Sequence, residues 1–248
     1  MNKNILIIGL GEVGSAIKQV EEDAKNKVYV IDRKFDSDLI ESYDVIHICL
    51  PYVRGFIDAC IHYLKTYPCD LAIIHSTVSV GVTSNIQKEF DMPVVHSPIR
   101  GIHPKLYEGI KTFVKYVGGE VGAAEAAKTH LDSINIKTEI LGCSKTTELA
   151  KILSTTYYGW NILFAKQVKK LCDLSKLDYD KVYKKPNISY NIGYKKLGLD
   201  DAENHISVIR PVLYPPKGKI GGHCITSNFD LLPDIDLKFI VKDLNEME

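Results

Sequence analysis

A cysteine in a glycine-rich segment is the strongest candidate for covalent chemistry in this sequence. Cys224 closes the segment Gly221-Gly222-His223-Cys224, which follows a loop rich in proline and glycine. A thiol is the strongest ordinary nucleophile near neutral pH, so Cys224 could attack an aldehyde carbon. It could equally be a metal ligand or a small buried hydrophobe. The cysteines form no short-spaced Cys/His cluster, which disfavours the metal site.

A lysine and a threonine could support the same chemistry. Lys151 lies in a long run with helical apolar spacing and could stabilise negative charge on a substrate oxygen. Its stem could also simply carry the charge out to solvent. Thr77 follows an apolar strand, at the sheet edge where ligands bind in open α/β folds. The pair Ser76-Thr77 would equally serve as a helix N-cap.

Other polar residues are candidates for binding rather than reaction. Arg54, Arg100 and Arg210 fall in predicted loops, where an arginine can hold a phosphate or carboxylate through two parallel hydrogen bonds. We expect Arg100 and Arg210 to bind substrate, and Arg54 to be a solvated surface residue. The histidines His75, His96 and His103 follow different strand ends and could approach one another. No carboxylate stands at a matched spacing, so we predict no metal there.

A Gly-x-Gly-x-x-Gly motif near the start of the chain predicts a dinucleotide site. It follows an apolar strand and opens a helix, the context that the motif requires. Gly9 would permit the tight turn, Gly11 would let a pyrophosphate approach the backbone, and Gly14 would let helix and strand pack closely. Glu12 and Val13 complete the motif and are included in the predicted site. A glycine turn without a ligand and an S-adenosylmethionine site are the alternatives.

The second predicted strand ends at a carboxylate that favours NAD. Asp32 stands 18 residues after the last motif glycine, where it can accept hydrogen bonds from ribose hydroxyls. Arg33 leaves room for NADP, since a cation could meet a 2′-phosphate, but Asp32 would repel that phosphate. We expect Leu50-Pro51 and Thr77 to lie at the nicotinamide.

The first part of the chain predicts an α/β fold. Short β-branched runs alternate with helical stretches, which is typical of a Rossmann-type doubly wound parallel sheet covered on both faces. We assign residues 1–142 to a NAD-binding domain, with a helix at 121–133. The predicted strands are Ile5–Ile8, Val28–Ile31, Val45–Leu50, Leu71–His75, Pro93–His96, Phe113–Val117 and Ile136–Leu141.

The second part predicts a smaller helical domain over residues 143–248. Apolar side chains recur at helical spacing over 144–175, which predicts one helix about 45 Å long. A helix longer than a small domain is wide bridges domains or forms a dimer seam. We therefore expect a homodimer through this helix, and a final helix from about residue 235.

Bulk composition excludes several classes of partner. The 31 basic side chains balance 31 acidic ones, so no net field draws in nucleic acid or an anionic membrane. No apolar stretch approaches 18 residues, and the N-terminal apolar run is too short for a signal peptide. These features predict a cytoplasmic protein with a small-molecule substrate.

Four segments, taken in order, resemble the UDP-glucose/GDP-mannose dehydrogenase family. They are Gly9–Gly14, Cys49-Leu50-Pro51, Ser76-Thr77-Val78 with Gly81, and Glu148-Leu149-Ala150-Lys151 with Gly221-Gly222-His223-Cys224. The family oxidises a nucleotide-sugar alcohol to the acid with two NAD. The resemblance implies a Rossmann domain, a helical domain whose long helix forms the dimer, and a C-terminal nucleotide-binding domain. The chain ends 24 residues after Cys224, so we expect this last domain to be absent.

The resemblance also implies roles for three residues. Cys224 matches the nucleophile that captures the intermediate aldehyde as a thiohemiacetal, which is oxidised to a thioester and hydrolysed. Lys151 matches the lysine that stabilises the developing oxyanion. Thr77 matches a threonine that holds the catalytic water.

Five residues depart from the family pattern. Thr155 replaces an asparagine, Asn228 an aspartate and Ile99 a glutamate, while Lys166-Gln167 stands where the family has Asn-Glu. Thr155 and Asn228 remain predicted substrate-binding positions. An amide cannot accept the proton that a carboxylate takes in general base catalysis, so Asn228 bears on the second oxidation or the hydrolysis.

The leading hypothesis is an NAD-dependent dehydrogenase that acts on a sugar nucleotide or a related alcohol through Lys151 and Cys224. One alternative is a two-electron enzyme similar to the β-hydroxyacid dehydrogenases, which also use a lysine on a helix. The other is a degenerate NAD-binding module that regulates a partner.

Overall fold

The computed structural model describes residues 2–33, 35–36, 38–102, 104–198, 210–220 and 225–247. The chain divides into two compact units, Met1–Ile152 and Leu153–Glu248. The predicted domains, 1–142 and 143–248, place the boundary ahead of the long helix instead, and they stay a prediction. His103, His223 and Cys224 lie outside the described residues.

The first unit contains a doubly wound parallel sheet, as predicted. Its strands are β1 (Asn4–Ile8), β2 (Lys27–Asp32), β3 (Phe35–Asp36), β4 (Tyr43–Ile48), β5 (Cys69–Ile74) and β6 (Val94–His96). They lie in the order β3-β2-β1-β4-β5-β6, and all neighbours are parallel except the edge pair β2 and β3. Strand β3 was not predicted, because two residues are too few to show a strand pattern. The strand order reverses at β1, so β1 and β4 flank the crevice where such sheets bind ligands.

Helices cover both faces of this sheet. They are α1 (Glu12–Asp23), α2 (Phe56–Thr66), α3 (Val82–Gln87), α4 (Leu106–Thr112) and α5 (Val121–Ser133). Alternate residues of β1 point to opposite faces, with Ile5 and Ile7 in one apolar cluster and Leu6 and Ile8 in the other. A strand buried on both faces reads as a continuous apolar run, which is why the sequence indicates it so clearly.

Two further predicted strands form a separate pair. Strands β7 (Lys115–Val117) and β8 (Thr138–Ile140) are parallel, and an isolated bridge between His96 and Gly118 joins them to the main sheet. A Cβ on Gly118 would lie 2.5 Å from Thr147 Oγ1. The glycine therefore lets the next helix begin directly against the sheet edge.

The long predicted helix is present as α6 (Ser144–Leu174), a single helix of 31 residues. Beyond it a π-helical turn (Asp180–Lys184) leads into α7 (Lys185–Lys196), and α8 (Thr226–Leu231) precedes the final helix α9 (Asp236–Glu246). No helix among the described residues is long and apolar enough to cross a membrane.

A glycine within α6 sets the packing of the second unit. A Cβ on Gly159 would lie 2.6 Å from the Phe229 ring and 2.7 Å from the Ile225 side chain. Phe229 is 2% exposed and anchors α8. Glycine costs a helix interior about 1 kcal/mol, and here the close approach of α8 offsets that cost.

We predict that Gly159→Ala destabilises the second unit by about 1–3 kcal/mol, because the added methyl overpacks the contact with Phe229. Urea denaturation would measure the loss. The matched control is Gly193→Ala in α7, where no atom lies within 4 Å of the added Cβ. That change should be neutral or stabilising, and equal effects of the two substitutions would contradict the packing argument.

Candidate active site

The three glycines of the motif have three different surroundings. Gly9 has φ +94°, and a Cβ there would lie 2.9 Å from the Cys49 carbonyl oxygen. A Cβ on Gly14 would lie 1.9 Å from the Gly9 carbonyl oxygen, so α1 packs directly on the turn. Gly11 faces open space, with no atom within 4 Å of its Cβ position. Gly9 makes the turn, Gly14 allows the close packing and Gly11 leaves the open approach, which are the surroundings that the motif predicted for each glycine.

The carboxylate of Asp32 shapes the same turn. Its Oδ2 accepts a hydrogen bond from the Leu10 amide at 2.8 Å, which ties the end of β2 to the glycine loop. Arg33 follows and is exposed. No side chain among the described residues caps the N-terminus of α1 at Gly11. A helix N-terminus of this kind favours an anion such as a pyrophosphate.

The ends of β1, β4 and β5 meet at this edge of the sheet. The Leu50 side chain lies 3.3 Å from the Cβ position of Gly9, and the Ser76 hydroxyl donates to the Leu50 carbonyl at 2.5 Å. Pro51 is exposed and Thr77 is half-buried. The fold therefore brings the predicted cofactor-binding residues of three strands together.

Two buried histidines brace the loops that follow β5 and β6. His75 Nδ1 lies 2.8 Å from the Ser97 carbonyl oxygen, and His96 Nε2 lies 3.0 Å from the Ser76 carbonyl oxygen. Each imidazole thus bonds the residue that follows the other one. Burial lowers the pKa of His96 to about 3 and that of His75 well below its ordinary value. Both imidazoles are therefore neutral near pH 7. Their bonds to these carbonyl oxygens hold the two loops together.

The first turns of α6 are fixed against this edge. The Glu148 carboxylate is fully buried and accepts the amides of Gly81 at 2.6 Å and Thr83 at 2.8 Å. The Thr147 hydroxyl lies 2.8 Å from His96 Nδ1. One turn later, Lys151 Nζ donates to the Ile99 carbonyl at 2.8 Å. The lysine is therefore held beside the loop that follows β6.

A second lysine, which the sequence analysis missed, reaches the same loop. Lys115 on β7 is 2% exposed, and its Nζ donates to the carbonyls of Ser97 at 2.7 Å and Pro98 at 3.2 Å. A lysine in a three-residue strand gives no sequence signal of this contact. The exposed Arg100 lies further along the loop, where it donates to the Val114 carbonyl at 3.0 Å.

Three buried polar side chains contact one another where α1 and α5 pack on the sheet: Glu21 on α1, His47 on β4 and His130 on α5. Glu21 Oε1 is 2.8 Å from His47 Nε2 and 2.8 Å from His130 Nε2. Burial alone would raise the pKa of Glu21, but the bonds from His130 and His47 outweigh it and lower that pKa. The three ligand atoms lie within 4.8 Å of one another, as a metal site would require. Their contacts are at hydrogen-bond distance, so the atoms already satisfy one another without an ion.

The second unit holds the loop that leads to the glycine-cysteine segment. Side chains from the π-helical turn and the residue just before it, from α7 and from α9 bond its backbone, and Lys166 of α6 donates to the Gly218 carbonyl. The bonds are Tyr183 to Pro211 at 2.8 Å, Tyr179 to Leu213 at 2.7 Å, Asn191 to Arg210 at 2.8 and 2.9 Å, and Asn245 to Ile220 at 2.8 Å. The described loop is therefore anchored at five positions between residues 210 and 220.

Two positions that depart from the family pattern contact each other. Asn228 Nδ2 donates to Thr155 Oγ1 at 3.0 Å, and Asn228 is 6% exposed. Arg210, predicted to bind substrate, places its guanidinium 3.6 Å from the Tyr190 ring centroid. It also lines a cavity of about 400 Å³ with Trp160 and Phe164.

These features define a Rossmann-type fold: a doubly wound sheet, a glycine turn and an acidic residue at the end of β2. Solved structures agree. The chain superposes on a UDP-D-ManNAc dehydrogenase from Pyrococcus horikoshii with TM-score 0.73 and 20% identity, over 98% of this chain and 68% of the other. It superposes on the 3-hydroxyisobutyrate dehydrogenase of Mycobacterium tuberculosis with TM-score 0.72 and 17% identity, over 100% and 94%.

Sequence comparison is more specific than the fold. The UDP-N-acetyl-D-mannosamine dehydrogenase of Methanococcus maripaludis strain C7 is 25% identical over 199 residues, 79% of this chain and 40% of that protein. The enzyme of the same name from Methanocaldococcus jannaschii is 24% identical over 206 residues, 75% and 43%. No family model matches. The chain spans about two fifths of these relatives, and its resemblance to the nucleotide-sugar dehydrogenases is confirmed.

We predict that one glycine substitution in the motif mainly lowers stability and that another mainly weakens cofactor binding. Gly14→Ala should destabilise the first unit by about 3 kcal/mol or more, since its methyl meets a backbone carbonyl that cannot move aside. Gly11→Ala should cost about 1 kcal/mol or less but weaken NADH binding at least tenfold, because the methyl covers the open approach. Urea denaturation and fluorescence titration would measure the two effects. Unchanged NADH affinity in Gly11→Ala would argue against a pyrophosphate at this turn.

Proposed function

We propose that this chain carries the cofactor site and the lysine of an NAD-dependent dehydrogenase that oxidises an alcohol on a sugar nucleotide or a related small molecule. The observation that carries the proposal is the glycine turn, open above Gly11 and tied to Asp32 through the Leu10 amide. That geometry fits a dinucleotide whose pyrophosphate lies on the N-terminus of α1 and whose ribose hydroxyls bond Asp32.

A bound nicotinamide cofactor would supply the hydride acceptor for oxidation of a carbinol, and the residues of this chain would hold the reacting groups. Leu50, Pro51 and Thr77 would flank the ring at the ends of β4 and β5. Lys151, held on the Ile99 carbonyl, would stabilise the negative charge that develops on the substrate oxygen. The bonds from the Gly81 and Thr83 amides to Glu148 hold the first turns of α6. They support this role, because they fix the lysine before substrate arrives.

The names of the curated relatives suggest the substrate class. Both are UDP-N-acetyl-D-mannosamine dehydrogenases, so a UDP-linked amino sugar is the first substrate to test. Cys224 would capture the aldehyde in a second oxidation. A homodimer through α6 belongs to the same proposal, and exposed apolar residues on that helix support it. They are Leu149, Leu153, Tyr157, Phe164 and Leu171.

A specific observation favours a second candidate, a single two-electron oxidation. The Asn228 amide is bonded to Thr155 and has no basic group to take a proton from water. An oxidation that stops at the carbonyl consumes no water, so it needs no base to activate one; the proton of the carbinol hydroxyl would pass to solvent. The fold is as similar to that of 3-hydroxyisobutyrate dehydrogenase as to that of the nucleotide-sugar enzyme, so the fold is compatible with either candidate.

Cofactor choice can be tested at Asp32. We predict that the protein binds NADH at least tenfold more tightly than NADPH, and that Asp32→Asn removes most of this preference, since the repulsion of a 2′-phosphate is lost. Fluorescence titration would measure both affinities. The matched control is Asp44→Asn, because Asp44 also accepts a backbone amide, that of Asn4 at 2.7 Å, but at the opposite edge of the sheet. A preference for NADPH in the wild type would overturn the assignment of NAD.

Turnover and stoichiometry separate the two reactions. We predict that Lys151→Met lowers kcat at least a hundredfold while the affinity for NADH changes less than threefold, because the lysine acts on the substrate oxygen. Two NADH for each UDP-sugar, with a carboxylate product, would support the double oxidation. One NADH and a carbonyl product would support the single oxidation. Tight NADH binding without turnover of any nucleotide sugar or hydroxy acid would leave only the regulatory module.

A further inference from the structure

Lys115 is a buried amine that the proposed function does not use. Its Nζ donates to the carbonyls of Ser97 at 2.7 Å and Pro98 at 3.2 Å, and no carboxylate among the described residues pairs with it. A buried ammonium without a counter-charge is costly. A neutral amine has two N–H groups, and the two carbonyls match that number. The surroundings thus suit the neutral form.

Two lysines hold consecutive carbonyl groups of one loop. Lys115 bonds the carbonyls of Ser97 and Pro98, and Lys151 bonds the next one, that of Ile99. The three carbonyls belong to consecutive residues and the ring of Pro98 fixes its φ, so few free dihedrals separate the first two carbonyls from the third. The position of Lys151 therefore depends on the amine behind the loop.

The two amines also interact through their charges. Burial, the largest cause, lowers the pKa of Lys115 to about 7; the Cys49 thiol acts against this shift, and the charge of Lys151 acts with it. A charged Lys115 must in turn repel Lys151, whereas a neutral one does not. The other titratable groups around the amine are His47 on β4, Cys49 after β4, His75 after β5 and His96 on β6. Burial lowers the pKa of each histidine and raises that of Cys49 to about 12, so none of them supplies a counter-charge.

We propose that Lys115 is a positioning residue for Lys151: as a neutral amine bonded to the Ser97 and Pro98 carbonyls, it fixes the loop that holds Lys151 and adds no charge that would repel it. The inference rests on the proposed function, in which Lys151 faces the substrate oxygen. A purely structural lysine would hold the loop equally well in either charge state. A positioning lysine of this kind couples its charge to turnover.

The kinetic test uses Lys115→Met, which keeps the volume of the side chain and removes its N–H groups. At pH 8 we expect kcat to fall at least tenfold while the Kd for NADH stays within twofold. The wild-type kcat should rise with pH through about 7, and the variant should lack that step. Lys137→Met, at an exposed lysine just before β8, is the control and should keep the wild-type profile. An unchanged kcat or an unchanged pH profile in Lys115→Met would overturn the inference.

A second measurement does not depend on activity. In the wild type, carbon-13 NMR of the lysine ε-carbons should show one lysine, absent from Lys115→Met, that titrates near pH 7 rather than 10.5. Between these values the folded form binds fewer protons than the unfolded form, so this group's contribution to stability rises with pH. The unfolding constant of the wild type relative to Lys115→Met should fall up to tenfold per pH unit between about pH 7 and 8.5.

The two failures are distinguishable. If the wild type turns over no substrate, the proposed function is wrong and the inference falls with it, even where Lys115 titrates near pH 7. If the wild type is active but Lys115 titrates near pH 10, the inference alone is wrong.

Discussion

The need to satisfy buried backbone carbonyls at the carboxyl ends of β5 and β6 governs the candidate site of the first unit. The loops after these strands are buried at Ser97 and half-buried at Ser76, where an unpaired carbonyl would cost about 1–3 kcal/mol. His75 and His96 meet this need across the two loops, and Lys115 and Lys151 meet it along the second loop. The groups proposed for chemistry are thus held by the same bonds that complete the fold.

Buried hydrogen bonds to Glu148 also hold the start of α6 in place. A helix N-terminus leaves its first amides unpaired. At the start of α3, the amides of Gly81 and Thr83 donate hydrogen bonds to the Glu148 carboxylate of α6. Because Glu148 is fully buried, rotating or sliding α6 would strand a carboxylate without partners. Lys151 lies one turn further along the same helix and is therefore fixed by a bond that it does not itself make.

The sequence predicted the parts of this arrangement that follow a local pattern. Gly9, Gly11 and Gly14, the strands and α6 each have a periodic or spacing signal, and the fold places them as expected. Lys115, Glu21 and His47 were missed, because a polar residue within an apolar strand or helix shows nothing of the partner it will meet across the sheet. His75 and His96 were noticed, together with His103, as histidines at strand ends. The reciprocal bonds of His75 and His96 to Ser97 and Ser76 depend on loop paths that only the structure gives.

The departures from the family pattern in the second unit are mutually consistent rather than scattered. Thr155 and Asn228, each different from the family residue, are bonded to each other at 3.0 Å, so each change accommodates the other. Lys166, a third departure, is 4% exposed and donates to the Gly218 carbonyl in the loop ahead of Cys224. Random loss of a site would leave buried polar groups without partners, and these three have them. The three side chains are therefore accommodated by hydrogen bonds within the second unit, as side chains that pack in a folded unit must be.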